Sequence, residues 1–370
     1  MKPDVTVLVY TARDEKPFAG KAKEMHCFEP VLRTLTDQTH KNFELVLVDA
    51  LWETRPYWFN DHPQPFPVKH VPSSPNYWQQ RGWPGLCAQI NRGIAWADGD
   101  LIWMGAENNL FPPTHVELIW SLYKQGHIPV AWYGIADKDH ECGSPREIRD
   151  GECPETKFDL CGFTRNDIAT MDHRAARFAQ DPSLVLSPCH NQHYFGYSSI
   201  PTDVAIAING FDELFDSQIT LFDCDVGSRL EMHGVADRLI MHRNLYVIEP
   251  PAKMDFGGGI TRKKPFKCNY AMLLYNQLIR RSRANTALPD NFVEDVKEKI
   301  CQQSCALRED CSAKRIGEGD VYPFCEGDDR NLVAGWLANA APKSLENERE
   351  LRKARLPPYN RGWINGEFTA

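Results

Sequence analysis

Two β-branched apolar runs separated by one amphipathic helix constrain this chain more than any other feature. "VTVLVY" (5–10) and "FELVLVD" (43–49) have the length and unbroken apolar character of strands buried on both faces. Between them, "FEPVLRTLTDQT" places apolar residues at 28, 31, 32 and 35, which is the spacing of one helix face. Strand, helix and strand within residues 5–49 make a βαβ unit, and that unit predicts a parallel sheet covered by helices.

The alternation continues downstream. "GLCAQINRGIAWAD" (85–98) reads as a helix, "DLIWMG" (100–105) as a strand and "PTHVELIWSLYKQG" as a helix. "IPVAWYGIA" (128–136) is strand-like, whereas 140–195 reads as irregular and rich in Cys, His and Asp. "PTDVAIAINGFDELF" and "VGSRLEMHG" follow, then a strand over 238–249. From "FGGG" (256–259) the character changes to a basic stretch and then a cysteine-bearing helical one. A boundary near 255 therefore divides an α/β domain, 1–255, from a mainly helical C-terminal region, 256–370. No internal repeat or low-complexity tract stands out.

Composition narrows the class. The 370 residues are 42% apolar and 25% charged, an ordinary globular balance, and no apolar run is long enough to span a membrane. The N-terminal "MKPDVTVLVYTARDE" lacks the features of a secretory signal, so the expected location is cytoplasmic, or host cytoplasm for a viral chain. A net charge of −8 argues against a protein coated for nonspecific nucleic-acid binding and leaves room for a local basic patch.

In an open α/β sheet, ligands bind at the carboxyl ends of parallel strands. Three such ends here are polar. The first carries Thr11, Arg13 and Asp14, the second Asp49, and the third Glu107, Asn108 and Asn109. Singly each reads as a cap or turn residue; together on consecutive strands they point to one shared cleft.

The ordered motifs also resemble a known family. "LRTLTDQTHKNFELVLVDA" resembles the helix–strand signature of family-2-type GT-A glycosyltransferases. "GLCAQINRGIAWADGDLIWM" resembles that family's "G…N.G…A.GD.I" segment, and "INGFDELF" with "FDCDVGSRLEMHG" its later "GGFDE…ED.DL..RL" segment. The match runs over roughly residues 4 to 250. It implies a GT-A fold, a Rossmann-like mixed sheet, and transfer of a sugar from a UDP-linked donor to a hydroxyl with inversion. Thr11, Arg13, Asp49 and Asn91 would then line the nucleotide-sugar pocket, Asp223 would be the general base and Asp225 the second acid of its motif. Such a base must reach the acceptor hydroxyl within hydrogen-bond distance. Read from residues alone, "FDCD" is equally a helix N-terminus whose acids cap the following turn.

"GAENN" falls where the family carries Asp-x-Asp, the ligands of a Mn²⁺ or Mg²⁺ ion. Glu107 and Asn108 offer oxygen ligands there, with less charge than the family pattern. Cationic Arg81, Arg262, Lys263 and Lys264 are the alternative means of neutralising a leaving diphosphate. An altered metal motif also keeps open a non-catalytic nucleotide-sugar or glycan binding module.

Three further features need weighing. Cys301, Cys305 and Cys311 cluster closely, with Cys268 upstream and Cys325 downstream as candidate fourth ligands. Four thiolates would hold a structural zinc ion or a [4Fe–4S] cluster; buried cysteines or a disulfide are the plainer alternative. His190 and His193 beside Cys189 read as packing or acceptor-site lining, and His242 as a structural strand residue. The segment 260–284, with Arg262, Lys263, Lys264, Lys267, Arg280, Arg281 and Arg283 among aromatics, admits DNA with hydroxymethylated bases as acceptor besides a saccharide or small molecule.

Overall fold

The computed structural model describes residues 2–11, 28–74, 85–107, 109–136, 168–171, 175–189, 197–217, 221–249, 268–301 and 342–354. Its first sheet is built from β1 (Val5–Thr11), β2 (Phe43–Asp49), β3 (Val68–Pro72), β4 (Leu101–Ala106) and β8 (Ser199–Pro201) in the order β3-β2-β1-β4-β8. β1 pairs in parallel with both β2 and β4, β2 in parallel with β3, and β8 runs antiparallel to β4. A second sheet, in the order β6-β5-β9-β7, comprises β5 (Ile128–Ala136), β6 (Ile168–Met171), β7 (Leu186–Pro188) and β9 (Leu239–Glu249). This is the α/β fold with a Rossmann-like mixed sheet expected from the sequence. β6 and β7 are corrections, since 140–195 read as irregular; strands this short carry too few alternating residues to register in a pattern.

Side-chain alternation sorts the first sheet's residues onto two faces. Leu8, Val46, Val48, Ile102 and Met104 point to one face, where α3 (Leu86–Trp96) packs through Cys87, Ile90 and Ile94. Val5, Val7, Val9, Leu45, Leu47, Leu101 and Trp103 point to the other, covered by α1 (Glu29–Thr36) and α4 (His115–Lys124). Gly93 permits the close approach on the α3 face: a Cβ there would lie 2.4 Å from Leu8 Cδ1. On the opposite face, buried Gln38 reaches from beyond α1 to α4, its Oε1 accepting from Val116 N at 2.9 Å. That bond satisfies one orphan donor of the α4 N-terminus.

The remaining helices in chain order are α2 (Trp58–Asp61), α5 (Ala176–Gln180), α6 (Thr202–Ala207), α7 (Phe222–Met232), α8 (Cys268–Leu278), α9 (Phe292–Asp295) and α10 (Leu345–Ala354). A π-helical turn, Val296–Cys301, continues α9. Met272, Leu273, Tyr275, Phe292, Val296 and Leu345 from this C-terminal part are buried in the same cluster as Leu8 and Ile102. Beyond residue 255 the described chain is thus helical, and it contributes side chains to the α3-side core. Among the described residues no helix is long and apolar enough to cross a membrane.

Candidate functional site

The strand register brings the polar strand ends together. Thr11 lies opposite Asp49, and Tyr10 opposite Ala106, so the carboxyl ends of β1, β2 and β4 stand side by side. The Thr11 hydroxyl donates to Glu107 Oε2 across two strand ends. The chain then turns back on itself: Asn109, fully buried, accepts from Ala106 N at 2.7 Å through Oδ1 and donates its own N–H to Ala106 O at 3.1 Å. Asn109 is therefore a turn-forming residue, whereas Glu107 stands at the partly exposed rim. Asn108, Arg13, Asp14 and Arg81 lie outside the described residues.

Asp49 differs from its expected role. Its carboxylate accepts from Arg55 Nε at 2.6 Å and Nη2 at 2.7 Å, from His70 Nε2 at 2.9 Å and from Leu51 N at 2.8 Å. Those four bonds use the lone-pair sites a carboxylate offers, so in this arrangement no oxygen remains to accept from a base or ribose. Burial alone would raise this carboxyl's pKa. The hydrogen bonds and positive charge of His70 and Arg55 outweigh burial and hold it below the usual carboxylate range. Asp49 acts here by fixing Arg55 and His70 at the strand end. Both were missed in the sequence; the available signal was a cation six residues past a strand-end acid.

Asn91 also moves out of the pocket. Its Nδ2 donates to Phe211 O at 2.7 Å and to Glu213 Oε1 at 3.3 Å, while Oδ1 accepts from Phe211 N at 2.7 Å. Buried between α3 and the Asn209–Glu213 loop, it is a clamp on that loop, because the amide pairs with the backbone of a single residue on both sides. Gly210 makes the clamp possible. Its φ is +71°, and a Cβ there would lie 2.2 Å from Asn91 Oδ1.

The same loop is held from the C-terminal part of the chain. Asn209 donates to Ala284 O and Lys343 O, both at 2.7 Å, and accepts from Leu345 N at 3.0 Å. Asn285 accepts from Glu213 N at 3.0 Å and donates to Phe211 O at 2.9 Å. Arg281 forms a buried ion pair with Asp212, and Lys343 reaches Glu213. Arg281 is therefore committed to the fold and leaves the basic stretch proposed to meet phosphates; Arg280 and Arg283 are exposed, and Arg262, Lys263, Lys264 and Lys267 lie outside the described residues.

Past the loop, Asp216 accepts from Cys87 N at 2.6 Å and Ala88 N at 3.0 Å, capping α3 from a distant segment. Burial, and then the charge of Glu213, raise its pKa to about 7 against those two N–H donors. The cap fixes the loop's location. The last residues of α3 abut the amino ends of the strands, where Asp98 N donates to Glu44 and Gly99 N to Thr6. Eleven residues rising about 1.5 Å each put the α3 N-terminus at the carboxyl ends. The 212–217 turn thus shares the sheet end that carries Thr11, Asp49 and Glu107.

α7 follows that turn, and it separates the two acids of its motif. Leu221, preceding the helix, has φ +67°, an unusual conformation for a bulky residue. Asp223 sits half-buried in the first turn, hydrogen-bonded by the Cys224 thiol; burial and then the Asp223 charge push that thiol up to about 12. Asp225 is 1% exposed and accepts from Arg229 Nε at 2.9 Å and Nη2 at 2.6 Å, and from Asn276 Nδ2 at 2.9 Å. Asp225 is thereby a buried structural acid, correcting its placement beside Asp223 in the chemistry.

Of the cysteine candidates, Cys268 opens α8 and Cys301 closes the π-helical turn, while Cys305, Cys311 and Cys325 lie outside the described residues. Among the described residues no group of three or more metal-ligating side chains gathers. Cys189 is a buried thiol outside any disulfide among the described residues, and His190 and His193 lie outside the described residues. His242 is the strand residue expected: its Nδ1 accepts from Asn244 N at 3.0 Å, and burial lowers its pKa.

The fold and site define an α/β protein with a polar cluster at the carboxyl ends of its parallel strands and an acid-bearing helix packed behind it. No protein-family model and no curated protein matches the chain. Among solved structures, one of S. aureus TarS is similar over 74% of this chain and 39% of that one, with 11% identity and a TM-score of 0.40. A structure of S. aureus TarS 1–349 is similar over 95% of this chain and 92% of that one, with 12% identity and a TM-score of 0.42. The chain spans about two fifths of the longer TarS structure. These are likenesses of fold and carry nothing about substrate or mechanism.

Proposed function

We propose that the chain is a nucleotide-sugar-dependent glycosyltransferase of GT-A type that moves a sugar from a UDP-linked donor to a hydroxyl with inversion. The observation that carries the reading is the strand register, which gathers Thr11, Asp49 and Glu107 at the sheet end where open α/β folds bind ligands. The ordered sequence motifs support the same reading. In it, the strand-end cluster receives the nucleotide, with Arg55 and His70 presented by Asp49. Asp223, the half-exposed acid of α7, takes the proton of the acceptor hydroxyl as that oxygen attacks the anomeric carbon from the face opposite the leaving diphosphate. The bond from oxygen to the anomeric carbon forms as the bond to the diphosphate breaks, and the nucleoside diphosphate leaves with the electron pair.

A Mn²⁺ or Mg²⁺ ion fits the described residues poorly. Glu107 is the one carboxylate at the altered motif among them, and its Oε2 already accepts from Thr11. No step is routed through a cation, and metal dependence is an arm of the test.

UDP-, GDP- and dTDP-sugars are to be incubated with the protein, with and without Mn²⁺, and release of nucleoside diphosphate measured. UDP-sugar turnover is expected. Asp223→Asn should lower transfer on the order of 10²-fold or more, in keeping with general-base contributions of about 10²–10⁴, while UDP affinity stays within about twofold. Wild-type protein that binds UDP-sugars without turning any over, and keeps that affinity when Asp223 is replaced, would instead identify a binding module.

A further inference from the structure

Helix α8 reaches Asp225 of the acid motif through Asn276, while its neighbour Gln277 donates to Ser228 nearer the surface. Asn276 Nδ2 donates to Asp225 Oδ1 at 2.9 Å, and Asn276 is 3% exposed. Arg229 Nε and Nη2 both bond the other oxygen, Oδ2. Among the described residues Asn276 Oδ1 is buried with no partner. Turning the amide over would set that oxygen against the carboxylate, so the donor orientation is the one electrostatics selects. An amide kept at this position with one end unsatisfied is a poor choice for packing alone.

The surroundings say what the bond does. Asp225 faces Arg229 from its own helix, where its charge also acts on the Cys224 thiol, Asp212 from the Asn209–Glu213 loop, Arg281 through its pairing with Asp212, and Asn276 from α8. On balance the Asp225 pKa is raised: burial first, and then the Asp212 charge, favour the protonated acid, while Arg229 and Asn276 oppose them and favour the carboxylate. If Asp225 took a proton it would release Arg229. That guanidinium also donates to Ile208 O at 3.1 Å and to Gly210 O, so the loop and the first turn of α7 would loosen together.

We propose that Asn276 is a positioning residue that keeps Asp225 ionised and thereby holds the first turn of α7, with Asp223 on it, in register with the Asn209–Glu213 loop. The bond is independent of what the protein turns over; only its consequence for transfer rests on the glycosyltransferase reading above.

The test compares wild type, Asn276→Leu and Asn276→Asp in the full chain. Aspartate ¹³Cγ NMR, with Asp225 assigned by Asp225→Asn, reports the protonation midpoint, and amide hydrogen exchange over residues 222–226 reports the helix turn. The midpoint should rise by about one pH unit in Asn276→Leu, where a donor to the charged form is lost, and further in the isosteric Asn276→Asp, where a like charge is added. Exchange in the first turn should quicken about tenfold or more. With UDP-glucose as probe, kcat for its hydrolysis should fall about tenfold in Asn276→Leu while the UDP Kd stays within about twofold. An Asp225 midpoint shared by wild type and Asn276→Leu, with unchanged exchange, would overturn the proposal; should Asn276→Leu not fold, Asn276→Asp carries the same comparison. A wild type inert toward UDP-glucose would remove the glycosyltransferase reading and leave the midpoint and exchange measurements to decide on Asn276.

Discussion

The strand-end cluster and the Asn209–Glu213 loop both bury acids at one end of the sheet, and they compensate those acids over different lengths of chain. Asp49 takes its partners from Leu51, Arg55 and His70, all supplied within the β2–β3 unit. Asp212 and Glu213 take theirs from Arg281 and Lys343, across 69 and 130 residues, and Asp225 adds to the local Arg229 of its own helix the amide of Asn276, 51 residues on. The first cluster exists once β1, β2 and β3 have paired. The second exists only when the C-terminal segments have docked, so it is the part of the site most exposed to changes far away in the sequence.

Breaking one buried ion pair in each region measures that contrast. Arg229→Met leaves Asp225 with Asn276 alone and also strips donors from Ile208 O and Gly210 O. Removing one partner of a buried pair costs about 3–5 kcal/mol, and urea unfolding should place this variant at the top of that range. Arg55→Met leaves Asp49 with His70 and Leu51 N, so its loss should fall at about half as much. Equal losses would mean that the two regions are held equally firmly and would end the comparison.

A pH series sharpens it with opposite signs. His115, packed between Trp103 and Phe111 beneath the strand ends, is fully buried, and burial lowers its pKa to about 3. The unfolded chain takes up its proton near 6.5, so stability supplied by the neutral ring is present above 6.5 and is lost as pH falls toward 3. Asp216 runs the other way. With its pKa raised to about 7 from 3.8, the folded state binds the additional proton, and that contribution is present below 3.8 and lost as pH rises through 7. Each slope is about 1.4 kcal/mol per pH unit, and the two oppose each other between about 4 and 6.5. Relative to wild type, Asp216→Asn should gain stability as pH rises through that window, and His115→Phe should gain it as pH falls. Parallel curves for wild type and both variants would show that neither group is titrated as described.

The smallest effect is expected on the docked C-terminal helix. Arg92 on α3 pairs with Glu348 on α10 near the surface. Glu348→Gln should shift stability by no more than about 0.5 kcal/mol and less in high salt, as exposed pairs do. The core contact of Leu345, by contrast, is apolar and is not weakened by charge screening.

The legible parts of the sequence were those where chemistry acts over a few residues. The apolar runs at 5–10 and 43–49, the helix from 86 and the strand from 101 could be read because burial on two faces demands unbroken apolar stretches and helix packing demands a period. The motif that carried the family resemblance was legible too, and the structure explains its residue types by packing: Asn91 clamps Phe211, and Gly93 and Gly210 admit close neighbours. Asn91 was misassigned for that reason. A polar residue on a buried helix face looks alike whether it binds a ligand or a backbone.

What the sequence by itself determined is the layered α/β scaffold, the side-by-side strand ends and the helix bearing Asp223, since each follows from local periodicity and the pairing of parallel strands. Only the tertiary structure decided which acids are committed to the fold. Asp49 and Asp225 are spelled like binding and catalytic residues, yet Arg55, His70, Arg229 and Asn276 saturate them. A buried charge must be paired and hydrogen-bonded wherever the fold brings a partner, and an amide donor 51 residues away on another helix leaves no mark in the local pattern.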